Sequence, residues 1–464
     1  MFNHIKLAFA GSLILLASLL PIKAQQSFQF YSLDGVSQRQ QLNPSFIPKH
    51  NYISIPALGN ISLFGAMNVG ASDFLFKRDG NLVTFLHPDV NAKSFLDNLP
   101  NKISIGSDFS LQLLGAGFKL YGGYASINFS FEEYSDITIP KELFRFAKLG
   151  MDDENISKYN INDLHATEVN FFNFQLGYAR PINDKWTVGA HVNFLLGTNL
   201  TKILIDKMQI SMSRDRYQIH SSNSYIAYGK GITFGNKVDD NGQMTDEIDF
   251  SDNEIKFSDI MKIKGFGMSM DLGATYKLRE DLEVSATLKN LGWLNFGNMS
   301  RGKFVEDYQF DGFKFDPSNS SSLSDQAKDM EDDLKEFTKV KKDDKTYSES
   351  YALPVIFALG AKYKMPFYDK LSATGLFHSC FNKPALGTGL MIGANIEPTH
   401  WFGSSLNVDF STVGVTPGLA ISLHPKGFNF FLGAQLSMLK LAKDSFVPLD
   451  KSNLTLNFGM DVTF

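Results

Sequence analysis

Residues Ser452 to Phe464 read SNLTLNFGMDVTF, and no other stretch limits the possible folds as tightly. Leu454, Leu456, Phe458, Met460, Val462 and Phe464 share one parity. Asn453, Thr455, Asn457, Gly459, Asp461 and Thr463 share the other. A strand sends successive side chains to opposite faces, so this segment has one apolar and one polar face. The period recurs. Trp186, Val188, Ala190, Val192, Phe194 and Leu196 alternate with Thr187, Gly189, His191, Asn193 and Leu195. Met268, Met270, Leu272, Ala274 and Tyr276 alternate with Ser269, Asp271, Gly273 and Thr275, and the run from Phe402 to Phe410 behaves alike. Similar runs lie at 105–114, 120–131, 168–178, 282–290, 354–364, 370–380, 386–396, 414–423 and 427–438. Each is about ten residues, the length a tilted strand needs to cross a bilayer.

Composition narrows the surroundings. Mean hydropathy is −0.12 over 464 residues, too low for a bundle of membrane helices. A barrel hides its hydrophobicity, because only alternate residues meet lipid. The net charge of −5 gives no reason to expect nucleic acid. The single Cys380 excludes an internal disulfide and reads as a small apolar filler. At the N-terminus, His4 and Lys6 precede an apolar run from Leu7 to Leu20, and Ile22-Lys23-Ala24 follows. This predicts a signal peptide over residues 1–24, cut after Ala24, with an uncleaved anchor as the alternative. No later run approaches 18 apolar residues, so helical spanning is excluded. In lipid no sheet edge can stay open, so the strands must close on themselves. The expectation is an all-β protein: a transmembrane antiparallel β-barrel over 51–464, of 14 to 17 strands and most simply about 14. The surroundings are then outer-membrane lipid. The terminal strand, with Phe458, Val462 and Phe464 on its apolar face, resembles the signal read by the barrel-assembly machinery, a partner expected during insertion.

Connections divide into two kinds. Short polar turns include Asn183-Asp184-Lys185, Arg279-Glu280-Asp281, Tyr368-Asp369-Lys370 and His424-Pro425-Lys426-Gly427. Long ones occupy roughly 72–102, 132–165, 229–262 and 297–350. Leu323, Ala327, Met330, Leu334 and Phe337 form one stripe of an amphipathic helix within the last, and a second short helix is expected near Lys141 to Gly150. Residues 25–50 show no sustained alternation. Phe28, Phe30, Tyr31, Leu33 and Phe46 favour a segment folded into the lumen as a plug over a disordered tail.

Family resemblance sharpens this. The step Asn43-Pro44-Ser45 resembles the Asn-Pro-Ala step in the plug of FadL-type channels for hydrophobic compounds, with Ser45 in place of Ala. The segment DLGATYKLREDLEVSATLKNLG, Asp271 to Gly292, resembles a hairpin of the PorV branch of that superfamily. The pattern QLNPSFIPKHNYISIPALGNISLFGAMNVG, followed by LLGAGFKL, is similar to a Bacteroidota family of outer-membrane proteins of unknown function. A FadL-type resemblance implies a porin-like barrel with an N-terminal hatch and a hydrophobic ligand in the lumen. A PorV-type resemblance implies a partner in type IX secretion or surface-protein export, without transport.

Chemical motifs are sparse. HExxH, GxSxG and Walker loops are missing, and the histidines lack metal-ligand spacing. KVDDNG at 237–242 fits a calcium loop poorly, since Lys237 and Ile248 replace the first and last ligands. His191 lies on the interior parity and reads as a lumen hydrogen-bonding residue. The sequence therefore predicts a non-enzymatic outer-membrane protein without cofactor or metal.

Overall fold

The computed structural model describes residues 28–150, 157–213, 216–229, 232–238, 242–255, 261–304, 306–310, 339–381, 387–412, 414–437 and 449–464. Ala24 and the stripe from Leu323 to Phe337 lie outside them. Fourteen antiparallel strands close into a barrel. The first is interrupted, Tyr52–Ser54 and then Ile61–Met67. After it come Lys102–Leu120, Gly123–Pro140, Ser157–Pro181, Trp186–Met212, Gly265–Arg279 and Leu282–Phe304. The ring continues through Val355–Met365, Tyr368–Phe381, Thr388–Thr399, Phe402–Ser411, Gly414–Leu423, Phe428–Leu436 and Ser452–Thr463. Closure is explicit in the register. The last strand pairs with its predecessor, Leu432↔Phe458, and with the first strand, Ile61↔Phe458 and Tyr52↔Thr463.

The alternation sets what each face meets. Val192, Phe194, Met268, Met270, Leu272, Leu406, Leu419 and Leu432 all point outward and are exposed. A continuous apolar belt of this kind has no stable place in water and belongs in hydrocarbon. Its height fits. The fifth and sixth strands run in register from Trp186↔Tyr276 to Gly197↔Gly265. At ~3.3 Å per residue and a tilt of ~40°, that run spans roughly 28 Å along the membrane normal. Aromatic side chains mark the short-turn rim: Tyr121, Trp186, Phe367, Tyr368, Trp401 and Phe464 are exposed there. Such rings favour the lipid–water interface. No described helix is long and apolar enough to cross a membrane, which says nothing of strands.

Two sequence expectations need correction. Several strands are far longer than ten residues: Ser157–Pro181 has 25 and Trp186–Met212 has 27. Beyond the belt both partners keep their backbone pairing, but water on the outer face removes the apolar alternation that marks a strand. The connection placed at 132–165 shrinks for the same reason. Strand continues to Pro140, the helix Lys141–Leu149 follows, and strand resumes at Ser157. The connection at 229–262 holds a hairpin, Ile232–Val238 with Met244–Ile255. Over the long-loop rim, Phe74, Phe85, Phe95 and Phe144 join Val90, Ile139, Tyr159 and Ile210 in one apolar cap.

Candidate functional site: the occupied lumen

Residues 28–48 cross the barrel interior in short 3-10 turns, Phe28–Phe30 and Ser37–Gln41. A helix or strand would need repeated backbone pairing. Here the turns close on short-range backbone bonds of their own, such as Tyr31 N–H to Phe28 O and Leu42 N–H to Arg39 O, and side chains tie the segment to the wall. Lys362 Nζ donates to Ser32 O at 2.8 Å, and Thr374 Oγ1 donates to Ser32 Oγ at 2.6 Å. Asn429 donates to Gly35 O and Lys289 to Gln41 O. Asn43 Nδ2 donates to Ala286 O at 3.1 Å. Gln38 Nε2 reaches three strands at once: Ser54 Oγ at 3.2 Å, Gln112 Oε1 at 3.1 Å and Asp461 Oδ1 at 3.1 Å. The first and last strands meet there, so Gln38 bridges the closing seam.

The expected motif sits at a close contact with the wall. Asn43 is fully buried, and its Oδ1 accepts from Ser45 N at 3.0 Å and Ser45 Oγ at 2.7 Å. That local turn fixes the step as a rigid knob. Ser45 Oγ also hydrogen-bonds Thr275 Oγ1 at 2.6 Å. The knob rests on two glycines that face each other in register, Gly273↔Gly189. A Cβ on Gly189 would lie 2.1 Å from Pro44 O, and one on Gly273 2.1 Å from Asn43 Oδ1. Glycine is needed at both positions for close approach of backbone, not for a special dihedral.

The wall has two characters. On one side Phe28, Phe30, Tyr31, Leu33, Val36, Leu42 and Phe46 pack on Ile356, Ala358, Leu376, Met391, Ala420 and Phe431. Cys380 packs against this cluster, as a small filler should. On the other side the wall is polar. It borders a cavity of about 100 Å³ lined by Gln38, Asn60, Asp108, Glu132, Gln175, Asp271 and Lys289. His191 Nδ1 lies 3.2 Å from Asp271 Oδ2, in the hydrogen-bonding role expected of it.

Charge pins the segment near its start. Asp34 Oδ1 sits 2.6 Å from Arg39 Nη1 and 2.9 Å from Lys362 Nζ. Burial alone would raise the Asp34 carboxyl, but Arg39 and Lys362 outweigh it and hold it well below the usual carboxylate range. The His424 ring, in the turn after the twelfth strand, fills the space a side chain at Gly35 would need. Burial, with Lys49, His50 and His400 nearby, depresses its pKa to about 4.

The three residues of the terminal strand lie elsewhere. Phe458 stacks edge-on with Phe430 at 5.6 Å, while Val462 and Phe464 are exposed on the outer face. They belong to the lipid surface, not to the lumen. Among the described residues no His, Cys, Asp and Glu cluster could hold a metal ion. Sequence reasoning did not single out Gln38, Glu132, Lys289 or the glycine pair. Lys289 and the glycines carried only interior parity as a signal, while Gln38 in the non-alternating 25–50 segment and Glu132 in the expected 132–165 connection carried none.

A model of a family of unknown function, DUF5723, matches residues 44–435. No curated protein matches the chain. Among solved structures, the toluene transporter TbuX of Ralstonia pickettii is similar at 10% identity and a TM-score of 0.40. That match covers 94% of this chain and 100% of the other. A Pseudomonas aeruginosa FadL homologue is similar at 10% identity and a TM-score of 0.39, covering 96% and 98%. The translocator domain of the autotransporter NalP from Neisseria meningitidis is similar at 8% identity and 0.35, covering 96% and 99%. Likeness at this level carries no argument about substrate.

Proposed function

We propose that this chain, which belongs to the DUF5723 family of unknown function, is a plugged outer-membrane barrel that binds small hydrophobic molecules and passes them when residues 28–48 move. The supporting observation is the apolar wall. Ile356, Ala358, Leu376, Met391, Ala420 and Phe431 face the interior of a barrel, where a water-filled pore would carry polar groups. The plug's own Phe28, Phe30, Tyr31 and Leu33 cover them. A hydrophobic ligand can replace those side chains on the same surface once the plug shifts. No catalytic step belongs to this reading.

A lock on the plug tests it. In a Cys380→Ser background, Ser45→Cys and Thr275→Cys place two thiols where hydroxyls now lie 2.6 Å apart. Oxidised cells should lose uptake of a fluorescent naphthylamine probe, and reduction should restore it. Uptake that ignores the lock rules out gating by this segment. If no form of the protein takes up the probe, the transport reading falls, and stable co-purification with an envelope complex would support the export-partner reading instead.

A further inference from the structure

The polar cavity beside Gln38 has chemistry that hydrophobic passage does not use. Gln38 Oε1, Asn60 Oδ1, Asn173 Oδ1 and Gln175 Oε1 are buried, lack a protein partner among the described residues, and belong to residues lining the cavity. Gln38 and Gln175 are each only 4% exposed. Their amide orientations are set from the other end. Gln38 Nε2 donates to Asp461, and Gln175 Nε2 donates to Asn193 Oδ1 at 2.9 Å. The remaining atoms are therefore acceptors that call for a donor.

Charge points the same way. Glu132 lines the cavity, and its Oε1 accepts from the Ser110 and Ser130 hydroxyls at 2.9 and 2.7 Å. It has no ion-pair partner among the described residues. Lys289 also lines the cavity, but it donates to Gln41 O and divides its charge between Asp271 and Glu132, while Arg39 is held by Asp34 and Tyr31 O, so two carboxylates share one cation there. An enclosed carboxylate that shares its one cation with another is costly to ionise, and a bound cation offsets that cost. The same cavity is also lined by the apolar side chains Phe30, Val36 and Leu42.

We infer that this cavity is a binding site for a small amphiphilic cation, a primary ammonium on a short alkyl chain. The ammonium sits at Glu132 and directs its remaining N–H groups to amide oxygens of that set. The alkyl chain lies against Phe30, Val36 and Leu42. The inference rests on the lumen being a small-molecule site and narrows its ligand class.

The probes are n-butylammonium, 1-butanol and butyrate, titrated by calorimetry into the full-length protein in lipid nanodiscs, with empty nanodiscs as the blank. Wild type should bind n-butylammonium at least about tenfold more tightly than 1-butanol, and butyrate more weakly still. Glu132→Gln should erase that preference while leaving 1-butanol binding in place. Removing an enclosed charge is compatible with folding, and heat-modifiable gel mobility checks it. The wild-type preference alone is decisive if the variant does not fold. Equal binding of the amine and the alcohol to wild type overturns the cation site but leaves the hydrophobic reading standing. Binding of neither, or a preference unchanged in folded Glu132→Gln, overturns the site as well, and binding of neither takes the small-molecule reading with it.

Discussion

Gly189→Ala should loosen the plug without breaking the barrel. The added Cβ would lie 2.1 Å from Pro44 O and 2.4 Å from Pro44 C, both backbone atoms. An ordinary C···O contact is about 3.3 Å, so the Asn43-Pro44-Ser45 knob must retreat by roughly 1 Å. That retreat breaks the Ser45–Thr275 and Asn43–Ala286 hydrogen bonds, each worth about 1 kcal/mol net. Overpacking adds ~1–3 kcal/mol. The sum, about 3–5 kcal/mol, shifts the docked-to-undocked ratio by roughly 10²-fold to a few thousandfold. Gly189 has no left-handed dihedral, so alanine fits the strand ladder itself. The assay is single-channel recording in planar bilayers, with urea titration of the barrel alongside. Open events should become frequent while the barrel midpoint moves little. Gly375→Ala is the control, since nothing lies within 4 Å of its added Cβ. If Gly189→Ala stays as closed as Gly375→Ala, the knob is not what holds the plug.

Three further outcomes follow from the same geometry. Leu272→Arg should cost ~2–4 kcal/mol in refolding titrations, because the side chain faces lipid, whereas Ser110→Arg should cost clearly less, because its guanidinium meets Glu132 in the cavity; equal costs would mean the facing is wrong. Plug docking should weaken as pH falls from the ordinary histidine value near 6.5 to about 4, since an undocked His424 takes a proton that the docked one resists. Protease accessibility of residues 28–48 at pH 7 and pH 4.5 reads this, and His424→Gln should flatten the response. The Asp34 carboxyl is depressed in the docked state, so its contribution is full above about pH 4 and is lost only in stronger acid; Asp34→Asn should weaken docking at pH 7 while leaving the His424 window unchanged.

Parity made the barrel legible, and it failed where its physical cause ended. Within the belt every strand has lipid on one face, so apolar residues must alternate, and that requirement exposed thirteen of the strands and bounded the count at 14 to 17; the interrupted first strand, Tyr52–Ser54 and Ile61–Met67, is too short in each piece to show it. At FEEYSD, Phe131 to Asp136, the outer face leaves lipid, Glu133 becomes acceptable there, and the alternation stops. Pairing does not stop: Glu132↔Ser110 and Glu132↔Phe171 continue the ladder. Glu132 was thus assigned to a loop, and the carboxylate that gives the cavity its charge went unnoticed. The plug met the opposite limit. Its aromatic residues announced burial, and Asn43-Pro44-Ser45 resembled the plug step of FadL-type channels, but the surface receiving that step lies more than a hundred residues away at Gly189 and Gly273. A glycine on the interior parity has several explanations in a barrel wall. Only the register Gly273↔Gly189 makes one saddle of the two, and register between strands depends on bulges such as the shift between Asn170 and Phe171 on the neighbouring strand. What a local pattern can state is which face a side chain takes. Which two side chains meet across the lumen depends on how the closed ring is staggered, and that is set jointly by all fourteen strands.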